Sequence, residues 1–286
     1  MRLAAAVAVT VLLSACGGAT APKTGAADSG ELQATMIASE LVAGLQQRVP
    51  IGILDHNTPV TDASVRVRSF LLGSGDKAVF KGESQAPFKG DGLEGAGVYV
   101  AHLDLKPAGN WGLEVTASRP NGARLSQRLA INVVSKSLVP GVGEPAPASH
   151  NPTSRDQPDM TEIDSGRPPD DMHQVSIAEA LRQHRPTLVV FASPAFCTSK
   201  VCGPEVHVVQ SLEPAYKDRL SFIHVEVYSN FKPDPSKRQL APTVLEWRLQ
   251  TEPWIFLIDP EGIIQARFEG PTGTGELKTA VDNLLA

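Results

Sequence analysis

Two cysteines, Cys197 and Cys202, stand in the segment Phe191-Ala192-Ser193-Pro194-Ala195-Phe196-Cys197-Thr198-Ser199-Lys200-Val201-Cys202-Gly203-Pro204. They follow an apolar run and precede a helix-forming stretch. A thiol between a strand end and a helix start meets unpaired backbone N–H groups and the positive end of the helix dipole. Such a setting lowers a thiol pKa from its free value of about 8.5 and favours the reactive thiolate. Lys200 adds positive charge nearby. A second thiol close by resolves a mixed disulfide, so the pair suits thiol–disulfide exchange. An inert structural disulfide is the alternative. Positions five apart on a regular helix point about 140° away from each other, and a disulfide needs Cα atoms within about 7 Å. Either Cys197 lies in the loop before the helix, or the first turn unwinds. With His207, five residues after Cys202 on the expected helix, or His224, in mid-strand, the cysteines also offer soft ligands for Cu(I). For each histidine the alternative is a surface or internally satisfied side chain.

The third cysteine reads differently. Met1-Arg2, an apolar run from Leu3 to Leu13, and Ser14-Ala15-Cys16 have the layout of an export signal. The run is too short for a stable membrane-spanning helix, which needs roughly 20 apolar residues. Leu13-Ser14-Ala15-Cys16 resembles the bacterial lipobox. That resemblance implies cleavage after residue 15, lipid on Cys16 and a cell-membrane, extracytoplasmic location. Residues 16–30, rich in Gly, Ala, Thr and Ser, form the expected flexible tether. Cys197 and Cys202 then remain as a pair in a compartment where disulfides persist. The 286 residues hold 26 Lys+Arg and 31 Asp+Glu, a net charge of −5. This slight acidity argues against a nucleic-acid partner, which would favour a basic face.

The elements that must carry these residues fall into two parts. Residues 31–135 read as strands and turns. Ala63 to Phe70 and Gly97 to Leu105 alternate at period two. Apolar Arg48 to Leu54 ends at the turn cluster Asp55-His56-Asn57-Thr58-Pro59. Pro107-Ala108-Gly109-Asn110 turns into the strand Trp111 to Ala117, and Ser126 to Val134 closes the set. About seven short strands without a long helix predict an antiparallel β-sandwich. Residues 136–171 form a proline-rich linker with Pro140, Pro145, Pro147, Pro152, Pro158, Pro168 and Pro169, expected to be extended and semi-rigid. Residues 172–286 alternate. Ser176 N-caps a helix, with Glu179 completing a capping box. Thr187 to Ala192 is a strand apolar on both faces. A helix from Cys202 to Tyr216, a strand over Leu220 to Val227, a helix over Pro242 to Leu249, a hairpin from Trp254 to Phe268 and a helix from Gly275 to Leu285 complete a β-α-β-α-β-β-α order.

Residues 97–115 resemble the immunoglobulin-like modules of bacterial exported proteins, the YtkA and CopC-like groups among them. Val142 to Pro147 resembles the lead-in to thioredoxin-like and peroxiredoxin-like domains. The strand-then-Cys segment, residues 212–227, residues 251–262 and the terminal helix resemble thioredoxin from about Pro186 to Ala286. The fold class that follows is an all-β Ig-like sandwich followed by an α/β thioredoxin-like domain. The resemblance implies a cis-proline opposite the cysteines, and Pro253 holds that position. It assigns Cys197 as nucleophile, Cys202 as resolving thiol and Pro253 as a shaper of the substrate groove, with no cofactor. Thioredoxins have two residues between their cysteines, where this chain has four. Two-cysteine peroxiredoxins share the spacing of four, but their Pro-x-x-x-Thr/Ser-x-x-Cys pattern is absent, since Val190 and Pro194 stand where Pro and Thr/Ser belong. Sco-type copper chaperones use the same fold with three intervening residues and a distant histidine, which makes Cys197, Cys202, His207 and His224 the alternative copper set. The expected partners are exported client proteins or a membrane redox partner.

Overall fold

The computed structural model describes residues 32–73 and 77–286. The expected export signal, Cys16 and the tether lie outside the described residues. The chain is mostly β-sheet with few helices. Among the described residues, no helix is long and apolar enough to cross a membrane.

The first part contains β1 (Leu32–Met36), β2 (Leu41–Val42), β3 (Gly44–Asp55), β4 (Thr58–Pro59), β5 (Ser64–Leu72), β6 (Ala78–Gln85), β7 (Phe88–Lys89), β8 (Val98–Leu105), β9 (Gly109–Ser118) and β10 (Arg124–Val134). One sheet runs β1-β3-β8-β7 with β4 on β3, and the other runs β2-β10-β9-β5-β6. Pairing is antiparallel except between β2 and β10. The two sheets share one core, because alternate side chains point to one face. On β9, Trp111, Leu113, Val115 and Ala117 are buried while the residues between them stay partly exposed. They meet Val49, Ile51 and Ile53 of β3 and Leu103 and Leu105 of β8. The Trp111 indole N–H, which burial would otherwise orphan, donates to the Pro107 carbonyl at 3.0 Å.

The second part contains α1 (Ile177–Arg182), β11 (Thr187–Ala192), α2 (Cys202–Tyr216), β12 (Ser221–Glu226), β13 (Tyr228–Ser229), β14 (Gln239–Leu240), α3 (Pro242–Glu246), β15 (Trp254–Ile258), β16 (Ile264–Glu269) and α4 (Thr274–Leu284). Its main sheet has the order β12-β11-β15-β16. β11 pairs with β12 in parallel and with β15 antiparallel, and β15 pairs antiparallel with β16. Every residue of β11, β12 and β15 is buried. Accordingly, β11 and β15 are near-continuous apolar runs rather than alternating, whereas β12 buries Ser221, His224 and Glu226 among its apolar residues. Leu188, Val190 and Ala192 of β11 join one core with Val206 and Val209 of α2 and Leu277 and Val281 of α4. Val189 and Phe191 join a second core with Ile177 and Trp247. Ser176 Oγ accepts the Glu179 N–H at 3.2 Å, as its N-cap position predicts. The Glu179 carboxylate turns instead to Arg155, so the second bond of the expected capping box is not made.

The proline-rich segment is irregular, but it is not a free joint. Gly143 N–H donates to the Ile264 carbonyl at 2.8 Å and Ala146 N–H to Gly262 at 2.9 Å, placing the segment beside β16. Val139 is buried in the core with Val189. Asn151 Oδ1 accepts the Ile177 N–H at 2.8 Å, and Ser149 Oγ accepts the Trp247 indole N–H at 3.0 Å. The two parts also interlock. Leu93, on the loop between β7 and β8, is fully buried in the core of the second part. Arg48 of β3 forms a fork with both carboxylate oxygens of Glu276 on α4, at 2.9 and 3.0 Å. It also donates to the carbonyls of Glu269 and Pro271.

Candidate functional site

Cys197 and Cys202 form a disulfide with a Cα–Cα distance of 6.0 Å, inside the range that the bond requires. The geometric choice posed by the spacing resolves in favour of the loop: Cys197 lies in irregular chain after β11, and Cys202 is the first residue of α2. The turn is tied by Cys197 N–H donating to the Ser193 carbonyl at 3.1 Å. This placement moves the helix-dipole argument from Cys197 to Cys202. The sulfur at the helix start is the one whose thiolate the dipole favours. Cys202 is wholly buried, whereas Cys197 retains 8% exposure. Of the two, Cys197 is the one that lines a groove of about 780 Å³, walled in part by Tyr228, Leu240, Leu245 and Arg248. Leu240 and Leu245 are exposed apolar side chains.

Pro253 is buried at the start of β15, and the Glu252–Pro253 peptide is cis. It lines a second groove of about 330 Å³ with Ser199 and Val201, while Ile37 and Leu54 of the first part form the opposite wall. Glu252, whose importance the sequence reading missed, brings a carboxyl oxygen to 3.5 Å from Cys202 Sγ. Burial pushes its carboxyl above the usual carboxylate range, and the Ser193 hydroxyl, 2.6 and 2.8 Å from its two oxygens, partly offsets this. The signal was at hand: Glu252 immediately precedes Pro253, and Ser193 opens the cysteine loop.

Neither histidine of the alternative copper set joins the sulfurs. His207 is exposed on α2 and lies 3.4 Å from Glu94. His224 of β12 is fully buried among other residues, with Nδ1 2.7 Å from Asp170 Oδ2 and Nε2 3.1 Å from the Ala192 carbonyl. Among the described residues, the carboxylate of Glu252 is what completes a three-donor group with Cys197 and Cys202. Burial opposes the charge on His224, but Asp170 and Asp164 override it and push the imidazole up to about 9. One turn beyond Cys202, Glu205 is completely buried and accepts the Thr272 N–H at 3.0 Å through one oxygen. Burial pushes its carboxyl up to about 8.

No family model and no curated protein matches the sequence. Among solved structures, an engineered protein aligns over 36% of this chain and 20% of its own, at 16% identity and a TM-score of 0.25. The PmoD soluble domain from Methylocystis sp. ATCC 49242 (Rockwell) aligns over 37% of this chain and 92% of its own, at 14% identity and a TM-score of 0.24. Similarity at this level carries no conclusion about fold or function.

Proposed function

We propose that the protein is a lipid-anchored, extracytoplasmic thiol–disulfide oxidoreductase. In this reading an Ig-like sandwich precedes a thioredoxin-like part that carries the redox pair. Support comes from the parallel β11-α2-β12 crossover, followed by the antiparallel β15 and β16, with the cysteines between β11 and α2. The observation that carries the reading is the asymmetry of the two sulfurs. Cys197 borders a groove with exposed apolar walls, whereas Cys202 is buried at a helix start with a protonatable carboxyl 3.5 Å away.

The chemistry follows from that asymmetry. A client thiolate attacks Cys197 Sγ, forming a mixed disulfide and breaking the Cys197–Cys202 bond. Cys202 leaves as a thiolate, stabilised by the α2 dipole and protonated by Glu252. A second client thiol then attacks the client sulfur of the mixed disulfide and releases Cys197. The client loses two electrons and becomes a disulfide, and the pair gains them. Run in reverse, the same steps reduce a client disulfide. Pro253 and the two grooves hold the client chain beside Cys197.

The test uses the oxidised full chain and a dithiol peptide, with thiol loss as readout. Peptide oxidation should be stoichiometric with the protein and abolished by Cys197→Ser. A rate no faster than that of free glutathione disulfide would remove the proposal. For the anchor, the parent should carry lipid mass on Cys16 and partition into detergent, and Cys16→Ser should release it. An unlipidated, detergent-independent parent would remove that part.

A further inference from the structure

A second constellation stands apart from the sulfurs and is not used by the redox step. Asp164, Asp170, His173 and His224 each place one donor atom within 4.8 Å of all the others. His173 is 1% exposed, and its Nε2 makes no hydrogen bond. That nitrogen lies 3.3 Å from Asp170 Oδ1 and 3.5 Å from Asp164 Oδ2. His224 Nδ1 lies 2.7 Å from Asp170 Oδ2 and 4.0 Å from Asp164 Oδ2.

These spacings bracket a known geometry. A tetrahedral cation with nitrogen and oxygen ligands at about 2.0–2.1 Å separates its ligand atoms by roughly 3.3–3.4 Å. The supporting contacts also suit ligation. His224 Nε2 lies 3.1 Å from the Ala192 carbonyl. With a cation in place of the Nδ1 proton, the Nε2 proton donates to that carbonyl and the Nδ1 lone pair faces the cation, the arrangement that orients metal-bound histidines. Backbone N–H groups hold the carboxylates: Gly166 donates to Asp164 Oδ1 at 2.7 Å and Met172 to Asp170 Oδ1 at 2.8 Å. Two carboxylates balance one divalent charge once the cation displaces the proton that Asp170 and Asp164 favour on His224. The set contains no sulfur, which disfavours Cu(I) and favours a borderline divalent cation.

We propose that Asp164, Asp170, His173 and His224 form a binding site for one divalent cation of the zinc class. The site is structural and braces the redox loop. Met172 accepts the His224 N–H, and Ser165, next to Asp164, accepts the Ala195 N–H at 3.1 Å through its hydroxyl. A cation here fixes residues 164–173 against β12 and against the turn that carries Cys197.

The experiment titrates the metal-stripped, oxidised full chain in detergent with Zn2+ alone. One equivalent should bind, the melting temperature should rise, and both effects should persist in Cys197→Ser/Cys202→Ser. His173→Gln and Asp164→Asn should each weaken binding at least tenfold. Zinc-edge X-ray absorption of the loaded parent should show only nitrogen and oxygen neighbours, a readout that does not depend on how the variants fold. No binding to the parent, loss of binding in the cysteine double variant, or sulfur in the zinc shell would each overturn the proposal.

Discussion

Glu252 and Glu205 are buried carboxyls with different consequences. Glu252 faces the Cys202 sulfur, and burial holds its carboxyl above the usual range. Glu252→Gln keeps the shape and removes the proton. It should slow opening of the disulfide about 100-fold at pH values where the parent carboxyl is protonated, within the range for a positioned general acid. The parent-to-variant rate ratio should fall as pH rises through the Glu252 pKa, because the parent then loses its donor. Stopped-flow exchange with a dithiol peptide measures this, and a ratio flat in pH would contradict the role. Glu205 belongs to stability. Its folded pKa of about 8 exceeds the unfolded value of 4.5, so between those pH values the folded state holds the extra proton. Stability therefore falls as pH rises across that window, by up to about 1.4 kcal/mol per unit from this group. Glu205→Gln should flatten that slope, as denaturant titrations at pH 5 to 8 would show. The place of Glu252 beside Pro253 was a signal in the sequence, whereas Glu205 had none, because a glutamate in sequence carries no sign of its burial.

At the scale of elements, legibility followed pattern. The alternation in Trp111 to Ala117 named β9, since one face is core, and that in Gly97 to Leu105 named β8, where Val98 to Ala101 are buried on both faces and only His102 to Leu105 alternate. The unbroken run Thr187 to Ala192 named β11, since both faces are. β6 was missed for the converse reason: its residues are largely exposed, so burial imposes no apolar period, and register with β5 holds it in place. Residues 136–171 were read as linker from their prolines and polarity. Their anchoring rests on partners far away in sequence, such as Asn151 with Ile177 and Ser149 with Trp247. The same distance hid the Asp164, Asp170, His173 and His224 cluster. Leu93 makes the point energetically: a lone leucine in a loop is buried in the core of the other part. Leu93→Ala should cost about 2–5 kcal/mol and lower the denaturant midpoint of the second part as well as the first.

Across the whole molecule, the contacts of Arg48 with Glu276, Glu269 and Pro271 join the strand part to the part bearing the sulfurs. Both side chains of the Arg48–Glu276 pair are largely shielded from water, so removing one leaves the other unpaired. Arg48→Met should destabilise the chain by about 3 kcal/mol. Arg48→Met/Glu276→Leu should recover part of that, as paired unfolding curves would reveal. The joint also shapes the candidate site, because Ile37 and Leu54 of the strand part line the same groove as Pro253. Under the proposed function, a client chain held in that groove would touch the strand part as well. The central claim, that Cys197 is the sulfur exchanged with clients, has a direct measurement. Cys202→Ser, expressed as the full lipidated chain, should accumulate mixed disulfides with exported proteins, and mass spectrometry should map every adduct to Cys197. A variant recovered with Cys197 as a free thiol and no adduct would contradict the account and leave the bond as a structural staple.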